Sequence, residues 1–377
     1  MKIYTVGGAV RDELLGLPVA DRDHVVVGST PEEMVRLGYK PVGKDFPVFL
    51  HPRTHEEHAL ARTERKVARG YKGFQIYAAP DVTLEQDLAR RDLTINAMAR
   101  DEAGRLVDPF GGAADLERGL LRHVSPAFVE DPVRILRVAR FAARFGFAVA
   151  PETMALMRSM VANGEADALV PERVCQEFSR GLMEGDAALM FPVLAEAGLL
   201  EKLLPELKLA FEHGRPANDP ARVLVRALEC AAVERLGLAP RFALVAIGTP
   251  SAQATRALSE RLKAPGDCRD LALLARLHGE TIKRAPALAA ADLLALLEHG
   301  DALRRPERFE ELLALLACVE RGERGWAENP NMPRVVLRRA LGAATGVDAA
   351  KIAAQSAKPD IAAKLRRARI AAIEALG

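Results

Sequence analysis

The sequence predicts an α/β head, with a mixed or antiparallel sheet and helices, followed by an all-α remainder. The four tyrosines and most of the β-branched runs fall within the first 80 residues, and such side chains favour strands. From about residue 126 the chain becomes rich in Ala, Leu and Arg with helical periodicity. The length of 377 residues suffices for two or three domains. We expect a head at 1–125, a helical neck at 126–205, and a helical body and tail at 206–377.

The composition is typical of a globular protein rather than of a disulfide scaffold or a membrane protein. Hydrophobic residues make up 49% of the chain and charged residues 28%, and the net charge is +2, so local basic clusters say more about partners than the total charge does. The four cysteines are far apart and include no C-x-x-C pair, which predicts reduced thiols. No run of 18 apolar residues occurs. We expect a cytoplasmic protein without membrane contact.

The N-terminal segment carries the densest group of candidate site residues. A predicted strand stops at Gly7 and Gly8, and paired glycines at a strand end let a ligand approach the backbone closely. Asp21 and Asp23 lead into a β-branched run at residues 25–27. Because side chains alternate along a strand, we expect both carboxylates on one face, where they repel each other without a cation. Paired carboxylates of this kind suit Mg²⁺.

Further elements of the head follow in order. Thr30 before Pro31 predicts the start of a helix, with a cap residue and proline at the first position. Residues 46–50 and 57–62 are predicted to form two strands. The basic, glycine-punctuated stretch 64–73 predicts a mobile loop.

A capping box marks the next predicted helix, with Thr83 as the cap and Gln86 three residues later. Leu84, Leu88 and Arg91 share one stripe of that helix. Arg91 is therefore expected at the end of a buried face, where a guanidinium requires an anionic partner.

A later predicted helix carries one positive face. Asp131 and Pro132 mark its start. Four arginines fall within about 120° of arc at 100° per residue. They are Arg134, Arg137, Arg140 and Arg144. No acidic residue of this helix balances them after its first turn, and such a stripe suits a triphosphate or an RNA backbone.

Together these motifs resemble a known family. The run Gly-Gly-Ala-Val-Arg-Asp at 7–12, followed by Asp-Arg-Asp at 21–23, resembles the nucleotidyltransferase signature of the polymerase-β-like superfamily. It is most similar to that of the bacterial CCA-adding enzymes, the class II tRNA nucleotidyltransferases. Four further runs are similar to motifs of that family, and the resemblance covers about residues 1–200. These runs are Arg62-Thr63-Glu64, Arg90-Arg91-Asp92, Asp108-Pro109-Phe110-Gly111-Gly112 and Glu130-Asp131-Pro132-Val133-Arg134.

The resemblance implies template-independent addition of C, C and A to the 3′ end of tRNA from CTP and ATP, with release of pyrophosphate. Asp21 and Asp23 are implied to bind Mg²⁺, and Glu57 is implied to be a further catalytic carboxylate near it. The residues implied to bind the triphosphate are Gly8, Arg11, Arg91, Arg137 and Arg140. Asp131 and Arg134 are implied to select the base, since a carboxylate accepts from the amino group of C or A and a guanidinium donates to ring acceptors.

Two alternatives share part of this pattern. A bacterial poly(A) polymerase has similar head and neck motifs but adds only A; the chain shows no long basic extension before its first motif, which argues against it. A non-catalytic helical RNA-binding protein with a relic head is the other alternative. Asp21, Asp23, Arg91 and Asp131 are all present, which argues against a relic.

The C-terminal half departs from some relatives at one place. Relatives with a similar N-terminal signature often carry a helical domain whose His-Asp pair binds a metal and hydrolyses phosphoesters. In the corresponding run, residues 241–250, this chain has Ala246 and Ile247 instead, and neither side chain can bind a metal. We therefore predict that phosphatase and 2′,3′-cyclic phosphodiesterase activities are absent, and that the C-terminal half is a structural, tRNA-contacting body.

Overall fold

The computed structural model confirms the predicted fold class, a sheet-and-helix head followed by a mostly helical remainder. The described residues are 1–42, 47–66, 74–214, 219–324 and 332–376. Most of the predicted mobile loop, residues 67–73, lies outside them.

The chain divides into two compact units. Unit 1 consists of Met1–Gly181 and Leu189–Lys202. Unit 2 consists of Leu182–Ala188 and Leu203–Gly377.

Unit 1 contains every strand of the described residues. The strands are β1 (Lys2–Val6), β2 (Asp23–Val27), β3 (Lys40–Val42), β4 (Val48–Leu50), β5 (Glu57–Leu60), β6 (Thr63–Lys66), β7 (Phe74–Tyr77), β8 (Ala99–Asp101), β9 (Leu106–Val107), β10 (Leu120–Leu121) and β11 (Ala148–Val149). Seven of them form one mixed sheet in the order β3-β4-β5-β2-β1-β8-β9. β2 pairs parallel with β5 and antiparallel with β1.

The helices of unit 1 cover the sheet and continue beyond it. They are α1 (Gly8–Leu14), α2 (Pro31–Arg36), α3 (Leu84–Ala89), α4 (Gly112–Glu117), α5 (Val133–Phe145), α6 (Pro151–Ala162), α7 (Pro171–Leu182, whose last residue belongs to unit 2), α8 (Met190–Glu196) and α9 (Leu200–Leu203, likewise). The remainder is not wholly helical, because β11 pairs parallel with β10.

The core of the head follows from the alternation of β2. Val25 belongs to a buried cluster with Leu88 of α3, and Val26 belongs to another with Met34 of α2. Successive side chains of a strand point to opposite faces, so each face of the sheet is covered by a helix. This packing holds β2, and Asp23 at its start, in a rigid frame.

Unit 2 is helical in its described residues. Its helices are α10 (Asp219–Val233), α11 (Leu238–Ala246), α12 (Ala252–Arg261), α13 (Gly266–Lys283), α14 (Ala290–His299), α15 (Pro306–Arg324), α16 (Met332–Thr345), α17 (Ala349–Ala354) and α18 (Ile361–Glu374). α10 and α15 approach closely at Gly322, where a Cβ atom would lie 2.6 Å from the Val223 carbonyl oxygen. Arg241 of α11 is buried and donates to the Leu182 and Glu184 carbonyl oxygens at 2.8 and 2.9 Å.

Among the described residues, no helix combines the length and the apolar character that crossing a bilayer requires.

Candidate active site

One cavity of about 720 Å³ in unit 1 collects nearly all of the predicted site residues. The predicted residues that line it are Gly8, Arg11, Asp21, Asp23, Arg91, Asp131, Arg134, Arg137 and Arg140. Its lining contains nine arginines and four aspartates in all. Because guanidinium groups outnumber carboxylates, the cavity favours a multiply charged anion.

Asp21 and Asp23 lie at the edge of this cavity with exposed side chains. β2 begins only at Asp23, so the expectation that one strand carries both carboxylates was wrong, although both line the same space. Neither carboxylate forms a hydrogen bond or ion pair with any residue in the described part of the chain. The pair therefore keeps its capacity to bind a cation.

Glu57 is the one predicted site residue outside the lining of this cavity. It opens β5 and is the direct partner of Asp23 across the parallel β2–β5 pair. Asp23, Glu57 and Arg91 also line a smaller neighbouring cavity of about 260 Å³. Glu57 is thus placed beside the aspartates, on the side of the smaller cavity.

The turn between β1 and α1 depends on Gly7 rather than on Gly8. Gly7 has φ +70°, and a Cβ atom there would lie 2.6 Å from Arg91 Nη1. Gly8 begins α1, and the nearest atom to its Cβ position is Arg11 Nη2 at 3.5 Å. The glycine pair therefore lets a guanidinium approach the backbone closely at the wall of the cavity.

Arg91 is a guanidinium of the site whose contacts with its neighbours are long. α3 ends at Ala89, so Arg91 follows the helix instead of ending its buried face. Its Nη2 lies 3.5 Å from Asp87, which also bonds Arg90 at 2.9 Å, and its Nη1 lies 3.5 Å from the Asn96 carbonyl oxygen. The buried Nε has no hydrogen-bond partner among the described residues. Burial lowers the pKa of Arg91, against the opposing effect of Asp87.

Arg11 is held more firmly. It is buried, donates to Asp12 at 2.8 Å and to Asn96 Oδ1, and lies over the rings of Phe141 and Phe145 at 5.1 and 5.0 Å. Burial lowers the pKa of its guanidinium, while Asp12 raises it. The head residue Arg11 is thereby joined to the arginine-rich helix α5.

The arginines of α5 are balanced by acids from other elements, which the helix sequence could not reveal. Arg137 Nε donates to Asp92 at 2.6 Å, and Arg140 Nε donates to Glu177 of α7 at 2.7 Å. Burial raises the pKa of Asp92, but Arg137, Asn96 and Arg134 together hold that pKa well below its ordinary value. Asp92 in turn raises the pKa of Arg137. The positive face is therefore a fixed ionic network.

Asp131 and Arg134, the two residues expected to select the base, both form hydrogen bonds within the chain. Asp131 accepts two hydrogen bonds from Arg173, at 2.9 and 2.7 Å, and one from the Val133 N–H at 3.2 Å. Arg134 donates to the carbonyl oxygens of Ala127 and Arg90 at 2.9 and 2.7 Å. Both side chains are thus fixed at the cavity wall before a ligand binds.

Sequence reasoning missed the residues that hold these side chains in place. They are Asp12, Asp92, Asn96, Arg173 and Glu177. Asp12 and Asp92 lie inside motifs already singled out, so their position offered a signal. Asn96, Arg173 and Glu177 gave none beyond being polar, because the arginines or aspartate that they hold, Arg11, Asp131 and Arg140, lie 37 to 85 positions away.

A second cavity, of about 470 Å³, lies within unit 2. Leu244 and Ile247 line it beside α13 residues such as Ala275. Among the residues that the structure describes, no group of three or more His, Cys, Asp or Glu side chains could hold a metal ion.

Comparison with known families places two segments of the chain. Residues 3–122 match the family described as the poly A polymerase head domain. Residues 146–211 match the family described as a probable RNA and SrmB-binding site of polymerase A.

Similar proteins extend over the whole chain. A multifunctional CCA protein of Nitrosomonas europaea is 54% identical over 97% of this chain and 96% of its own length. Another, from an Azoarcus species, is 54% identical over 100% of this chain and 97% of its own length.

Solved structures share the fold. The Bacillus stearothermophilus CCA-adding enzyme in complex with CTP has a TM-score of 0.70 at 24% identity, covering 99% of this chain and 89% of its own. A CCA-adding enzyme in complex with ATP also has a TM-score of 0.70, at 19% identity, covering 99% of this chain and 86% of its own. With full-length relatives at 54% identity, this chain belongs to the family of CCA-adding tRNA nucleotidyltransferases.

Proposed function

We propose that this chain adds C, C and A to the 3′ end of tRNA, from CTP and ATP and without a template, with release of pyrophosphate. The observation that carries the proposal is the cavity of about 720 Å³ in which an exposed carboxylate pair faces nine arginines. Nucleotidyl transfer requires a cation site beside a triphosphate site, and this cavity offers both. A reaction that uses tRNA and nucleoside triphosphates places the protein in the cytoplasm.

Asp21 and Asp23 fit Mg²⁺ because they are exposed oxygen ligands without a guanidinium partner in the described structure. Mg²⁺ in proteins takes one or two carboxylates together with substrate phosphates. Bound there, it would supply activation of the tRNA 3′-hydroxyl and neutralisation of developing phosphate charge. Glu57, across the strand pair from Asp23, is proposed as a further catalytic carboxylate near the ion rather than as one of its ligands.

Arg91 and Arg11 are proposed as the principal contacts of the triphosphate. Arg91 brings a buried N–H without a partner among the described residues and two contacts no shorter than 3.5 Å, so a phosphate oxygen would improve its hydrogen bonding. Arg137 and Arg140 add positive charge while they remain bonded to Asp92 and Glu177. Gly8, without a side chain, leaves room beside Arg11.

Asp131 and Arg134 are proposed to select the base. Arg173 and the Val133 N–H use three of the roughly four acceptor positions of the Asp131 carboxylate, which leaves room for the amino group of C or A. Guanine and uracil present an acceptor oxygen there and would be rejected. Backbone carbonyl oxygens hold Arg134 in one orientation, as is required of a side chain that distinguishes one base from another.

The domain roles follow the predicted boundaries. We assign catalysis to the head at 1–125, base and triphosphate binding to the neck at 126–205, and tRNA contact to the body and tail at 206–377. The match of residues 146–211 to an RNA-binding family supports placing RNA contacts on the neck as well.

The alternative activity is RNA 3′-adenylyl transfer, which the description of the head family favours. A tRNA transcript lacking its last three nucleotides distinguishes the two when it is incubated with CTP alone, ATP alone, or both. We expect two additions with CTP and a third only when ATP is also present. A long run of A with ATP alone would assign the chain to poly(A) synthesis, and no extension at all would contradict the proposed function.

A further inference from the structure

Asn96 connects Arg11 of α1 with Arg91 and Asp92, which follow α3. Its Oδ1 accepts a hydrogen bond from Arg11 Nη1, and its Nδ2 donates to Asp92 Oδ1 at 3.0 Å. Its backbone oxygen lies 3.5 Å from Arg91 Nη1. The residue is 6% exposed and lines the arginine-rich cavity. It therefore touches three of the charged groups that surround the proposed triphosphate.

The Asn96 amide satisfies both neighbours at once. The Arg11 guanidinium can only donate, and the ionised Asp92 carboxylate can only accept. The side chain between them must accept on one side and donate on the other. A carboxylate would face Asp92 without a proton, and an aliphatic side chain would leave both neighbours without their buried partner.

The contacts of Asn96 extend to α5 through Asp92. The second oxygen of Asp92 accepts from Arg137 at 2.6 Å, and Arg137 also approaches Glu177 at 3.6 Å. The position of Arg137 thus depends on the orientation of Asp92, which Asn96 helps to fix. Such preset charges bind an anion without reorganisation when it arrives.

We propose that Asn96 is a positioning residue for nucleotide binding, a role that rests on the proposed function. Its amide oxygen accepts from Arg11, and its amide N–H donates to Asp92. This arrangement holds Arg11, Arg91 and Arg137 around the space for the triphosphate. Asn96 need not touch the nucleotide to do so.

The substitutions Asn96→Leu and Asn96→Asp separate positioning from simple packing. Leu keeps the approximate volume but neither donates nor accepts. The carboxyl introduced by Asn96→Asp has the same heavy-atom arrangement as the amide and faces Arg11 and Asp92. When ionised it still accepts from Arg11, but it repels Asp92 instead of donating to it.

The experiment measures KM for CTP and kcat in extension of tRNA lacking CCA, with equilibrium binding of CTP as a second readout, from about pH 8.5 to pH 6. For Asn96→Leu we expect KM to rise about tenfold or more, with a smaller change in kcat and a constant ratio to wild type across pH. For Asn96→Asp we expect a similar rise in KM, because its ionised carboxylate accepts from Arg11 but cannot donate to Asp92.

Each other outcome decides against the inference. A wild-type KM in either folded variant would overturn the positioning role. If neither variant folds at any pH, as judged by circular dichroism, Asn96 serves stability alone. Failure of the wild-type chain to extend tRNA would instead contradict the proposed function, so the two failures are distinguishable.

Discussion

The cavity of about 720 Å³ in unit 1 and the cavity of about 470 Å³ in unit 2 differ in chemistry. The cavity of unit 1 is lined by nine arginines and four aspartates. The cavity of unit 2 is lined by fourteen aliphatic or proline side chains and six charged residues. Charged groups of the second cavity pair with one another, as Lys283 does with Glu323 at 2.9 Å and with Glu280 at 3.3 Å.

This difference shows what a site for ionic substrates requires. In unit 1, Arg91 has unused hydrogen-bonding capacity, and Asp21 and Asp23 have no ion-pair partner among the described residues. A triphosphate and a cation entering there would gain partners. An ion entering the apolar part of the second cavity would lose its water without compensation. We therefore expect ionic substrates to bind in the cavity of unit 1 and not in the cavity of unit 2.

The largest effect should come from the carboxylate pair. Asp21→Ala or Asp23→Ala is expected to abolish nucleotide addition, because loss of a cation ligand raises the barrier by several kcal/mol, a rate loss of at least about 100-fold. Asp219→Ala, which removes a carboxylate from the lining of the second cavity, is the matched control and should leave the rate unchanged. Primer extension with CTP measures both. Near-normal turnover in either head variant would remove this pair from the mechanism.

The next largest effect is expected for Arg91. Arg91→Ala removes a charged hydrogen-bond donor worth about 1.5–3 kcal/mol, so KM for CTP should rise about 10- to 150-fold. Arg276→Ala is the control, since Arg276 lines the second cavity and donates to the Pro250 carbonyl oxygen at 2.9 Å. Steady-state kinetics at saturating tRNA give both values. Equal KM values in the two variants would mean that Arg91 does not bind the triphosphate.

A change of selectivity rather than of rate is expected at Arg134. Arg134→Ala removes a proposed base contact worth about 1–3 kcal/mol of discrimination. The rate of incorporation of UTP or GTP should therefore rise relative to that of CTP. Competition assays with paired nucleotides measure the ratio. A uniform fall in activity with unchanged preference would place Arg134 on phosphate, or limit it to its bonds with the Ala127 and Arg90 carbonyl oxygens.

No hydrolytic effect is expected from the second cavity. With Ala246 and Ile247 at the positions of a His-Asp pair, the chain should not hydrolyse 2′,3′-cyclic AMP when Ni²⁺ or Mg²⁺ is supplied. Extension of tRNA by the same preparation is the control that the protein is folded and active. Robust hydrolysis that survives Asp21→Ala would reveal a second active site and contradict this prediction.

Local features of the sequence were sufficient to predict several elements of the head. The capping box of α3 forms as expected, with Thr83 accepting from the Gln86 N–H at 3.2 Å and Gln86 accepting from the Thr83 N–H at 2.9 Å. Thr30 likewise caps α2. Helix caps and the alternation of side chains along a strand depend on residues at most three or four positions apart. They can therefore be predicted from the sequence alone. Boundaries were less accurate, because β2 starts two residues after Asp21 and α3 ends before Arg91.

The residues that can do the chemistry are recognisable from the order of amino acids: two aspartates, a glycine turn and a stripe of arginines. How each charge is compensated depends on the packing of the folded chain. The stripe on α5 has no acid after its first turn, yet Asp92 and Glu177 reach it from other elements, and Asp12 bonds Arg144 from 132 positions away. Hydrogen bonds between distant residues depend on how helices and strands pack, and the spacing of residues along one chain does not specify that packing.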